Sequence, residues 1–197
     1  MHYYENTIYH VYNRSISKEL LFRSDKDYLK FLRMVRTHIY EKAEILSWCL
    51  MPNHFHFLLR TTEKSVELRK VGGLQIQSLQ YGIKNLLSSY CKSYNHLYQR
   101  SGNLFQQKTK AKEVNAEGRT VFHYIHQNPW KAKLVGKPEE WEYSSLKDYL
   151  NMRSGTLCFK EESYRLLDLN KSKLYEETYQ SVSNELIIKL KLEKGYD

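Results

Sequence analysis

The sequence predicts an α+β fold: a ferredoxin-like antiparallel sheet with helices packed on one face of it. Three observations carry this. Four short segments have the alternation or apolar character of strands, longer segments of helical periodicity stand between them, and two of the strands are joined by a tight turn.

The segment NTIYHVYNRS (6–15) alternates apolar and polar residues and predicts the first strand. Ser24 and Asp25 offer helix caps before KDYLKFLRMVRTHIYEK, where Tyr28, Leu29, Leu32, Val35 and Ile39 recur at helical spacing. AEILSWCLM (43–51) is a short apolar run, as expected of a central strand. Met-Pro-Asn supplies a turn, and HFHFLLRTT alternates again, so 43–62 reads as a hairpin. The polar TEKSVELRKVGG that follows is expected to be a loop. A long helix is predicted over 74–99, ended by RSGN, then a strand over 104–114. A helix over 116–128 should stop near Pro129, because the residue before proline disfavours helical backbone. A short helix is expected over 142–150, and beyond about 155 the chain is charged and irregular, with helical character in SNELIIKLKLEK (183–194). These segments divide into one domain over 1–150 and a C-terminal helical extension over 151–197.

A chain of 197 residues, 41% of them hydrophobic, can bury a substantial core. No apolar run approaches the roughly 20 residues of a membrane span. The N-terminal stretch MHYYENTIYHVYNRS lacks the charged-then-apolar layout of a signal peptide. The three cysteines, Cys49, Cys91 and Cys158, fit neither a disulfide framework nor a zinc-finger spacing, and a reducing cytoplasm is the expected location. The formal charge of +9 favours a polyanionic partner through counterion release. The 17 tyrosines could stack on bases, fill the core or include a nucleophile.

Within MPNHFHFLLR (51–60), His54, His56 and Leu58 share one face of the predicted strand, while Phe55, Phe57 and Leu59 share the other, assigned to the core. The two imidazoles are then about 6.6–7 Å apart along the strand. From the solvent-facing side they could converge on one divalent ion, or they could be two half-buried histidines bonded to neighbours. The partners of a metallo-β-lactamase-type site, a histidine-triad hydrolase or a cupin are missing at the required spacings. In VFHYIHQNP, Tyr124 and Asn128 stand at i and i+4 on one helix face. Tyr124 is a candidate nucleophile and Asn128 offers an amide oxygen to a metal, although packing is the ordinary role of both residue types. Lys108, Lys110 and Lys112 are expected on one face of their strand, suited either to a phosphate backbone or to protecting an edge strand. Tyr90, Tyr94 and Tyr98 form a helical stripe, which reads as core more readily than as a stacking platform.

Taken together, these segments resemble a known family. MPNHFHFLLR is similar to the HUH (histidine–hydrophobic–histidine) motif of single-tyrosine HUH transposases, the smallest insertion-sequence type. YIHQNPWKAKLV resembles the YIxxNPxxAxxV segment of the subgroup associated with repetitive extragenic palindromes (REP). YHVYNRSISKELLF and RSGNLFQQKTKAKEV add to the likeness, and the four pieces occur in the family's order over roughly 6–150. Trp130 stands where the family's usual residue is small and aliphatic.

The resemblance implies a metal on His54 and His56 with Asn128 as third ligand, and Tyr124 as nucleophile. It implies Mg²⁺ or Mn²⁺ as cofactor and single-stranded or hairpin DNA as substrate. The implied activity is a nickase and strand transferase that passes through a 5′-phosphotyrosine. The sequence identifies no base for Tyr124; His123, His126 and Lys131 lie near it in the chain. Two other classes stay open: a non-catalytic DNA-binding relic of such an enzyme, and a zinc-dependent hydrolase. A monomer and a homodimer are both compatible with the sequence.

Overall fold

The computed structural model describes residues 2–180, 182 and 184–189. Strand β1 (Ile8–Arg14) leads to helix α1 (Asp25–His38), whose first turn is held by Asp27: its carboxylate accepts from the amides of Ser24 at 3.0 Å and Arg23 at 2.9 Å. Strands β2 (Ala43–Met51) and β3 (His54–Thr61) form the predicted hairpin around Pro52 and Asn53. The expected loop after β3 is instead a helical turn, α2 (Glu63–Val66), and a second hairpin, β4 (Leu68–Val71) and β5 (Leu74–Gln77). Gly72 and Gly73, at φ +57° and +83°, make its turn, a conformation that other residues resist. Helix α3 (Ser78–Leu97) therefore starts four residues later than the periodicity suggests.

Strand β6 is confined to Lys110–Glu113; before it, residues 104–106 run antiparallel beside residues 14–16 in a different register, with Phe105 bridging Ser15. Helix α4 (Gly118–Lys131) does not stop before Pro129 but runs through it. Proline has no N–H for the Ile125 carbonyl one turn back. The Asn128 side chain compensates in part: Nδ2 reaches the Ile125 carbonyl at 3.4 Å while donating to the neighbouring Tyr124 carbonyl at 2.9 Å. After it come the short helices α5 (Leu146–Tyr149), α6 (Lys160–Leu166), α7 (Leu174–Tyr179) and α8 (Asn184–Lys189). Among the described residues beyond 155 the chain forms three short helices, and the helix expected over 183–194 is seen only in part, residues 190–194 lying outside the described ones.

The sheet order is β2-β3-β1-β6, every neighbour antiparallel, which is the ferredoxin-like arrangement with β3 and β1 central. Strand β2 is therefore an edge strand, not a central one. Its apolar run follows from being covered on every side. Its outer edge bonds to Tyr143, Ser145 and Phe159 through Leu50, Trp48 and Ile45.

Helices cover both faces rather than one. Tyr9, Val11, Ile45, Trp48, Phe55, Phe57 and Leu59 meet α1 and α3. On α1 the buried apolar positions are Tyr28, Phe31 and Val35, while Leu29 is 50% exposed. Tyr90 and Tyr94 of the tyrosine stripe are core, their hydroxyls each donating at 2.6 Å to the carbonyls of Leu21 and Leu20, while Tyr98, just past the end of α3, is half-buried and donates to Asp27. The other face, with Ile8, Leu46, Cys49, Met51 and Leu58, meets α4 and residues from 167 onward, including Leu167, Leu169 and Leu174. Among the described residues no helix is long and apolar enough to cross a membrane.

Candidate active site

The pairing of β1 with β3 assembles the site. Tyr12 lies opposite His56, Arg14 opposite His54, and His10 opposite Leu58. Residues directly opposite share a face, so His10, Tyr12, His54 and His56 all stand on the face that α4 covers. The imidazoles of His54 and His56 are closer than strand rise alone suggests, with ring centroids 5.0 Å apart and planes nearly perpendicular. His10 stacks on His56 at 5.1 Å, and Tyr12 stacks on His10 at 4.7 Å. From α4, the ring of Tyr124 meets His56 edge-on at 5.8 Å and His10 at 6.0 Å.

The histidines are not on a solvent-facing side. His56 is 1% exposed, His54 6% and Tyr124 1%. They lie in a polar layer between the sheet and α4, opposite the Phe55–Phe57 core. Burial disfavours the imidazolium, and Arg14 adds to this, so the His54 pKa falls to about 4. Burial, then the neighbouring His54, His10 and Arg14, put His56 well below its ordinary value. Burial, then Lys112, lower His10 to about 3. All three are neutral bases at pH 7.

The hydrogen bonds of the two motif histidines are lopsided. His54 Nδ1 is 2.6 Å from Asn53 Oδ1, and His56 Nδ1 is 3.0 Å from His10 Nε2. Both Nε2 atoms are buried without a hydrogen-bond partner. An imidazole with one nitrogen held and the other buried without a partner can ligate a metal through that second nitrogen when it carries no proton, an arrangement that His10, His123 and His126 share. Among the described residues no three His, Cys, Asp or Glu side chains converge as a metal set, so a third ligand would have to be of another kind. Asn128 can be that ligand only through Oδ1, because Nδ2 is committed to the backbone beside Pro129.

Tyr124 is therefore brought to the histidines, and Asn128 sits one helical turn further along α4. The three titratable neighbours of Tyr124 in the chain are engaged elsewhere. His126 Nε2 is 2.8 Å from Ser145 Oγ, His123 faces Thr178 and Glu177, and Lys131 donates to the Val182 carbonyl. Trp130 is accommodated against Tyr179, ring centroids 5.8 Å apart. The lysine row is split. Lys110 and Lys112 lie opposite Tyr12 and His10, on the face of the candidate site, and Lys110 stands 5.6 Å over the Tyr12 ring. Lys108 precedes the strand and lines a different groove, between α3 and residues 103–109.

His10, Tyr12, Asn53 and Arg14 belong to this site but are not singled out by sequence reasoning. The alternation of YHVYN already places His10 and Tyr12 on one face; what it does not reveal is that this face adjoins His56, since strand register is set by the assembled sheet.

No family model matches the sequence, and no curated protein sequence is similar to it. Among solved structures, the chain is similar to that of a REP-associated tyrosine transposase bound to a REP hairpin. The TM-score is 0.57 at 14% identity, over 77% of this chain and 83% of that one. At this identity the likeness is one of fold.

Proposed function

We propose that the chain is a metal-dependent single-stranded DNA nickase and strand transferase of the REP-associated tyrosine transposase type, acting on hairpin or palindromic DNA. One observation carries the reading. Two adjacent buried histidines have Nε2 atoms without partners, and one of them, His56, meets the ring of a tyrosine delivered by a separate helix. The fold likeness to a hairpin-bound transposase supports it.

On this reading His54 and His56 hold a divalent cation through Nε2, with Asn128 Oδ1 as the third protein ligand. Such an ion, Mg²⁺ or Mn²⁺, supplies polarisation of the scissile phosphate. The Tyr124 hydroxyl loses its proton and forms a bond to phosphorus, while the bond from phosphorus to the 3′-oxygen breaks. The 3′-oxygen leaves as a hydroxyl after taking a proton, and the 5′ end stays on the enzyme as a phosphotyrosine. The ester bond is conserved, so a 3′-hydroxyl can reverse the step without ATP. Lys110, Lys112 and Arg14 supply positive charge beside the histidines for the DNA backbone. Because Tyr124 is 1% exposed, a phosphodiester reaches it only after a movement that uncovers the side chain.

The test is incubation with Mn²⁺ and end-labelled single-stranded hairpins. The expected products are a fragment ending in a 3′-hydroxyl and a 5′ fragment end attached to protein on a denaturing gel. Cleavage that leaves both fragments free of protein would instead favour a hydrolase.

A further inference from the structure

We infer that Asn53 and His10 are positioning residues that set the tautomers of the two motif histidines, Asn53 for His54 and His10 for His56, and so present both Nε2 lone pairs to one cation. The inference rests on the reading of this face as a metal site.

A neutral imidazole keeps its single proton on one nitrogen and can ligate only through the other. A carboxamide oxygen can only accept. With Asn53 Oδ1 at 2.6 Å, the proton of His54 belongs on Nδ1, and its Nε2 is left as a base. His56 has the same need but a different partner, since its Nδ1 meets His10 Nε2 at 3.0 Å. Two neutral nitrogens at this distance share one proton. If it sits on His56 Nδ1, His56 Nε2 is a lone pair able to bind a cation. If it sits on His10 Nε2, His56 carries its own proton on Nε2 and cannot ligate. Metal binding therefore requires His10 as the acceptor, with its proton on Nδ1.

That Nδ1 is buried and has no hydrogen-bond partner. A buried donor left unsatisfied is unfavourable. In an interior position that is 0% exposed, between the rings of Tyr12 and Tyr124, an apolar side chain would avoid that cost. An apolar side chain would also leave His56 Nδ1 without an acceptor. Both positioning groups come from outside β3: Asn53 from the turn before it, His10 from the strand beside it. The β1–β3 register, which places His10, and the β2–β3 turn, which places Asn53, thus set the ligand tautomers.

The test uses the full chain with Mn²⁺ alone as probe, titrated by the electron paramagnetic resonance of the free ion, together with ¹⁵N nuclear magnetic resonance of the histidine side chains. The metal-free wild type should show His54 and His56 with the proton on Nδ1. His10→Leu and Asn53→Ala should each weaken Mn²⁺ binding by about 10–100-fold. His10→Gln, whose Oε1 can accept where Nε2 does, should recover most of the loss, as should Asn53→Asp. Equal affinity in wild type, His10→Leu and Asn53→Ala would overturn the inference, as would a proton found on Nε2 of His56. So would a Gln variant no better than Leu when both fold. Should His10→Leu not fold, Asn53→Ala in the half-buried turn carries the test. Failure of the underlying reading looks different: the wild type itself would take up no Mn²⁺, or His54→Ala would leave its uptake unchanged.

Discussion

Asn128 has two duties on two atoms of one amide. Its nitrogen partly mends α4 where Pro129 interrupts the hydrogen-bond ladder, and its oxygen is the proposed ligand. The two can be separated. Asn128→Ala should lower stability by about 1–3 kcal/mol, because a buried carbonyl loses its donor. It should also weaken metal-dependent cleavage. Adding Pro129→Ala restores the missing backbone N–H, so the double variant should regain stability in urea denaturation but not cleavage. If both return together, Asn128 serves only the helix. The same residue shows the limit of reading a tyrosine and an asparagine four apart. The spacing correctly puts them on one helix, but the compensation of the proline depends on side-chain geometry that spacing does not express.

At the scale of elements, α4 is fixed between the sheet and the C-terminal segment. Gln127, fully buried, donates to the carbonyls of Thr178 at 2.9 Å and Gln180 at 2.8 Å, and accepts from the Val182 amide at 3.2 Å. Arg119 pairs with Glu177 at 2.6 Å. Gln127→Ala should cost about 1–3 kcal/mol and accelerate amide exchange in α7 and at Val182 while leaving β1 and β3 protected. Unchanged exchange there would mean that apolar contacts alone hold the segment. The strands β1, β2 and β3 and the helices α1, α3 and α4 were legible because each has a clear period or a cap. The β4–β5 hairpin was not, since four-residue strands facing water carry little apolar pattern. The edge position of β2 was not, because an edge covered by Tyr143, Ser145 and Phe159 reads like a central strand. His54, His56 and Tyr124 were legible as candidates, but their burial was not, as it depends on which face α4 covers.

At the scale of the whole molecule, α4 and the strands it covers carry five buried histidines. His10 and His126 are lowered to about 3 and His54 and His123 to about 4, chiefly by burial, and His56 well below its ordinary value for the same reason. Each lies below its unfolded value of about 6.5, so between the two the unfolded chain binds more protons. The stability they support is complete above about pH 6.5 and is lost as pH falls toward 4, by about 1.4 kcal/mol per pH unit for each histidine. Urea midpoints should therefore drop steeply between pH 6.5 and 5, and a flat profile there would contradict the burial of these histidines. The central claim, that Tyr124 is the nucleophile of a covalent DNA reaction, is tested most directly by mass-spectrometric mapping of the trapped protein–DNA adduct. The nucleotide should be found on the peptide containing Tyr124, and Tyr124→Phe should form no adduct while keeping its fold. A nucleotide on Tyr90, Tyr94 or any other residue, or an adduct formed by Tyr124→Phe, would contradict it.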